Sequence, residues 1–106
     1  MLIAWTTVAT RGDADRLAIG IVERRLAACV QIDGPIASRY WWEGKVAQAE
    51  EFRLTLKFLP PQAQALADWV HAHHPYATPE WIVVVAIQVG EKYLSWATSN
   101  STNPPL

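Results

Sequence analysis

The clearest periodicity in the chain runs from Glu51 to Phe58, where Phe52, Leu54, Leu56 and Phe58 alternate with Glu51, Arg53, Thr55 and Lys57. A period of two sends successive side chains to opposite faces, so this stretch predicts a strand with one buried and one wet face. Leu2 to Val8, LIAWTTV, is β-branched and aromatic and runs into a Gly-Asp loop, which predicts the first strand. Leu17, Ala18, Ile21, Val22 and Leu26 then mark one face of a helix. Asp13 and Asp15 stand at its head, where carboxylates cap free amides and suit the positive end of the dipole.

Ala28 to Ile32 predicts the next strand. Asp33-Gly34-Pro35 interrupts it with a bend or bulge, because proline cannot donate to a central ladder, and the strand resumes from Ile36 to Trp42. Glu43-Gly44 supplies a hairpin turn. Pro60-Pro61 opens a second helix, with an inward stripe of Ala63, Leu66, Ala67, Val70 and then His73 or His74, and Pro75 ends it. Trp81 to Val89 is apolar on both parities and reads as a strand covered on two faces or central in the sheet. Tyr93 to Thr98 adds a short helix. The expected organisation is one domain over residues 1–98, with residues 99–106 a disordered tail. The order strand, helix, strand, strand, helix, strand is the α+β, ferredoxin-like β-α-β-β-α-β arrangement, with a short C-terminal helix.

Composition narrows the function classes. Nine Lys and Arg stand against ten Asp and Glu, and 51% of residues are hydrophobic. Such a chain has no charged field for nucleic acid or a membrane surface. No apolar run approaches the roughly 18 residues of a membrane span. The N-terminus has no basic residue ahead of its apolar stretch and no evident signal-peptide cleavage site. A single cysteine, Cys29, excludes an intrachain disulfide, so a cytoplasmic setting is expected. Six tryptophans exceed what one small core can hold, so Trp41, Trp42, Trp69, Trp81 and Trp96 point to burial against another subunit.

The candidate chemistry centres on His73 and His74, whose imidazoles suit Cu(II) or Zn(II). Adjacent helical residues point about 100° apart, so the pair chelates one ion only from unwound backbone, which Pro75 favours. His71 and His74 have the better helical spacing. The competing reading makes one histidine the close of the apolar stripe, bonded to a terminal carbonyl. Cys29 lies between Ala28 and Val30, where a thiol acts as a small hydrophobe, though a soft metal could reach it. Glu43 and Lys45 flank the hairpin turn, and Glu80 follows Pro79. No nucleophile-base motif, phosphate loop, CxxC or HExxH occurs, so neither an enzyme nor an organic cofactor is expected.

Three separated motifs, RRLAACVQI (Arg24 to Ile32), YWWEGK (Tyr40 to Lys45) and HPYATPEW (His74 to Trp81), together resemble the CutA divalent-cation-tolerance family. The match spans nearly the whole chain in order and spacing. The resemblance implies a cytoplasmic homotrimer with a ferredoxin-like subunit, similar in architecture to the PII signalling proteins. It implies a role in divalent-metal tolerance, with copper or another divalent ion at His73 and His74. It also implies an intersubunit cleft of Tyr40, Trp42, Glu43, Lys45 and Glu80. A trimeric PII-like module binding a metabolite or a partner protein there is the alternative. The chain departs from the family pattern at Trp5, which matches a family cysteine, and at Ala77, which matches a frequent Glu.

Overall fold

Alternation along the third strand decides which side of the sheet is covered. In the computed structural model, which describes residues 1–101, the elements are β1 (Leu2–Val8), α1 (Arg11–Glu23), β2 (Cys29–Trp42), β3 (Lys45–Phe58), α2 (Ala63–His73), β4 (Ile82–Val85) and α3 (Glu91–Ser99). A 3₁₀ turn, Pro60–Gln62, leads into α2. The strands form one antiparallel sheet in the order β2-β3-β1-β4. Leu54, Leu56 and Phe58 of β3 and Ala4 and Val8 of β1 are fully buried with Leu17 and Ile21 of α1 and Leu66 and Val70 of α2. Each large apolar side chain sealed there contributes about 1.5–3 kcal/mol.

Three local features differ from the sequence reading. α1 starts at Arg11, and its cap is Thr10, whose Oγ1 accepts the Asp13 amide at 3.0 Å. Asp13 and Asp15 therefore lie within the helix, where their carboxylates pair with Arg16 and Arg11. β4 covers only Ile82–Val85, sits at the sheet edge beside β1, and is exposed at all four positions. Its double apolar parity reflects a preference to leave water that no described element of the chain satisfies. At the C-terminus α3 runs through Ser99 and Ser101 is buried, its carbonyl accepting from Gln62 Nε2 at 3.2 Å. Residues 102–106, and with them most of the expected disordered tail, lie outside the described residues.

The hairpin of β2 and β3 outgrows the sheet. β1 pairs with β3 only from Phe52 to Phe58, whereas β2 and β3 continue pairing from Ile36↔Glu51 to Trp42↔Lys45. Glu43 and Gly44 close it with φ of 49° and 78°, both positive as a two-residue type I′ turn requires. The expected bulge is present as a register shift between Asp33 and Ile36. On the projecting arm Trp41 is 76% exposed and Trp42 57%. Trp69, by contrast, packs against the core beside Gly20.

Candidate functional site

The end of α2 sets the histidine geometry. Pro75 disfavours helical backbone in the preceding residue, and His74 is extended (φ −71°, ψ 135°) while its N–H still donates to the Val70 carbonyl at 2.8 Å. Its ring therefore turns inward rather than along the helix surface. Nε2 lies 3.0 Å from Thr6 Oγ1, and Nδ1 accepts the Tyr76 amide at 3.0 Å. An amide can only donate, so Nδ1 is unprotonated and the proton sits on Nε2, facing Thr6. Both nitrogens of His74 are thus engaged within the protein. His71 and His73 each place Nδ1 2.8 Å from a carbonyl, Ala67 and Trp69 respectively, leaving only Nε2 free on each. Two helical residues apart, they diverge by about 200°. His73 also stacks on Trp69 at 4.2 Å between ring centroids.

The remaining candidate ligand, Cys29, opens β2 opposite Lys57, on the face away from Val30 and Leu56. It is half-buried and free. Among the described residues no group of three or more His, Cys, Asp or Glu side chains converges as a metal set. Trp5, half-buried on β1, adds no donor atom where the family pattern has a cysteine.

Burial holds the His74 imidazole below the ordinary value of 6.5, and the nearby His71 acts in the same direction. The folded state therefore resists protonation more than the unfolded chain does. That contribution to stability is complete above pH 6.5 and is lost as the pH falls from there through the lower folded value. The urea midpoint is accordingly expected to drop between about pH 7 and pH 5. A His74→Asn variant, which keeps an acceptor for the Tyr76 amide, should flatten that drop. Equal pH profiles for the two proteins would show that His74 is not the group responsible.

A cleft of about 860 Å³ lies between the hairpin arm and the segment after Pro75. Of the residues expected to line a cleft, Tyr40, Trp42 and Glu80 do, while Glu43 and Lys45 are exposed at the hairpin tip and do not. Thr7, Ser38, Glu51 and Tyr76 join them, none evident from sequence. Strand register accounts for part of the set, since Ser38, Tyr40 and Trp42 alternate along β2 and Ile36, of the same parity, pairs with Glu51, while Arg39 and Trp41 of the opposite parity reach the cleft from its rim. Glu51 is 8% exposed, and its Oε2 accepts the Tyr76 hydroxyl at 3.0 Å. Burial, then the Glu51 hydrogen bond and charge, push the Tyr76 phenol up to about 12, so it remains a donor at neutral pH.

Sheet, helices, projecting arm and cleft together define a small α+β protein built to present a long hairpin beside a cleft. The chain matches the family model of the CutA1 divalent ion tolerance protein over residues 2–100, and it belongs to that family. The divalent-cation tolerance protein CutA of Yersinia pestis (strain Pestoides F) is 36% identical over 100 residues, which cover 93% of this chain and 83% of that one. Among solved structures, CutA from Synechococcus elongatus PCC7942 superposes with a TM-score of 0.92 at 39% identity, covering 95% and 89% of the two chains. The periplasmic divalent cation tolerance protein CutA from Archaeoglobus fulgidus gives a TM-score of 0.91 at 32% identity, covering 96% and 100%.

Proposed function

We propose that this chain acts in divalent-cation tolerance as a cytoplasmic homotrimer without catalytic activity, contacting copper only weakly through His73 and His74. The family match across residues 2–100 carries the tolerance reading. The exposed apolar surface supports the assembly: Trp41, Trp42 and Val46 on the arm and all of β4 are more than a monomer ordinarily leaves bare. The uncommitted thiol of Cys29 suits a reducing compartment. Among the described residues no helix is long and apolar enough to cross a membrane. The PII-like alternative draws no support from the family match.

The donor set does not fit a tight copper site. His73 offers one nitrogen, and His74 offers one only by giving up Thr6 or the Tyr76 amide. Cu(II) titrated into the protein is therefore expected to bind weakly, and more weakly still to a His73→Ala/His74→Ala variant. Identical binding by both would remove these ligands. Light scattering on the same samples should return about three times the 11.9 kDa chain mass, and the monomer mass would overturn the trimer.

A further inference from the structure

We infer that α3 and the turn that follows α1 form one detachable unit, closed onto the core by the carboxamide of Gln62 and opening ahead of the rest of the subunit. This goes beyond metal tolerance and uses neither the histidines nor the cleft.

Three observations carry it. The first is a buried clasp. Gln62, at the entry to α2, is 8% exposed, and its carboxamide joins three separate stretches of chain. Oε1 accepts the Leu59 amide at 2.8 Å, while Nε2 donates to the Arg25 carbonyl at 2.6 Å and to the Ser101 carbonyl at 3.2 Å. An amide N–H can only donate and a carbonyl can only accept, so the carboxamide has one orientation and both of its hydrogens are used. Gln62 is buried by its own chain, so water replaces a bond lost there poorly.

The second is the strain that the clasp holds. Arg25 has a φ of 54°, in the left-handed region that residues with a Cβ enter at a cost. Its amide donates to the Val22 carbonyl at 3.0 Å and the Leu26 amide to the Ile21 carbonyl at 3.0 Å, the paired bonds that end a helix where glycine usually stands. Arginine at that position needs outside support, and it has two sources. Gln62 holds its carbonyl, and its Nη1 donates to the Asn100 carbonyl just beyond α3 at 3.4 Å.

The third is how little else joins α3 to that turn. Within α3 only Ala97 is buried, and a cavity of about 350 Å³, lined by Trp96 and Asn100 together with Val22, Ala27 and Ala28, leaves apolar packing between the two incomplete. Whatever covers Trp96 in the assembly, the link inside the subunit is polar. Loss of the Ser101 bond frees the carboxamide to turn, releases the Arg25 carbonyl and lets the strained turn relax. The two segments therefore open together.

Hydrogen exchange on the assembled protein in increasing, sub-denaturing urea tests this, with the Leu26 and Asn100 amides reporting on the turn and on α3. In the wild-type chain the two should share one opening free energy and one urea dependence, with protection roughly tenfold or more below that of Leu54 and Leu56 in β3. Gln62→Glu keeps an acceptor for the Leu59 amide but loses both donated hydrogens, and should speed Leu26 and Asn100 by the same factor, roughly tenfold or more. Arg25→Gly relieves the strain and drops the bond to Asn100, so it should split the unit, with Leu26 then exchanging more slowly than Asn100. Should Gln62→Glu fail to fold, the wild-type and Arg25→Gly profiles decide the matter alone. Different opening free energies for the two wild-type amides, a pair that stays together in Arg25→Gly, or an acceleration in Gln62→Glu confined to β3 would overturn the inference.

Discussion

Phe58→Ala is expected to lower the unfolding free energy by about 3–5 kcal/mol, the usual loss when a buried aromatic ring is truncated in a core that cannot collapse around the space. Phe58 heads the fully buried side chains by size and is 0% exposed. It ends β3 opposite Leu2, so its ring closes the core where β1 begins. Its neighbours are held on several sides: the Ala28 amide donates to the Lys57 carbonyl at 2.9 Å, and the 3₁₀ turn starts two residues later at Pro60. Little freedom remains to fill the void. Small domains hold about 5–15 kcal/mol in total, so the variant should lose a large share of its stability. Urea unfolding followed by tryptophan fluorescence measures this at one fixed protein concentration, since assembly adds a concentration-dependent increment. A loss below about 1 kcal/mol would mean that the ring is not the keystone its burial implies.

The same residue shows how much of the fold can be read in the chain. Phe58 was identifiable because alternation from Phe52 onward has only one structural solution, and the helix spacings and the Pro75 stop were equally direct. Double parity at Ile82–Val85 was misleading for a physical reason. An apolar run records that side chains prefer to leave water, not which molecule supplies the cover, and the strand lies at an edge. The site was less legible still. The histidine pair was visible, but the partner of His74 across the fold, Thr6, was not, because it lies 68 positions away and reads as an ordinary strand residue. Glu51 looked like one more solvent-facing member of an alternating strand; only the register opposite Ile36, beyond the reach of β1, turns it into the floor of the cleft.

That register depends on Gly34, and Gly34→Ala should cost roughly 2–4 kcal/mol through backbone strain together with overpacking. Gly34 has a φ of 148°, a conformation that residues with a Cβ rarely adopt. A Cβ there would lie 2.8 Å from Phe52 Cδ1, 3.0 Å from the Glu51 carbonyl oxygen and 3.1 Å from Phe52 Cα. The ring can swing aside, but two of those atoms are backbone and move only with the ladder. Relief must therefore shift Glu51, and the arm beyond it, relative to the Tyr76 hydroxyl. A second readout follows. If the Tyr76–Glu51 hydrogen bond loosens, the phenol should ionise nearer its ordinary value of 10.0 than about 12, as seen in the phenolate absorbance. Gly44→Ala is the control, since φ is 78° there but nothing lies within 4 Å of the added carbon, leaving only the strain of about 1 kcal/mol. Should Gly34→Ala unfold at the wild-type midpoint with Tyr76 still titrating near 12, the bulge would not be what aims the arm. If stability falls and the phenol shifts together, one glycine sets both the direction of the hairpin and the geometry of the cleft.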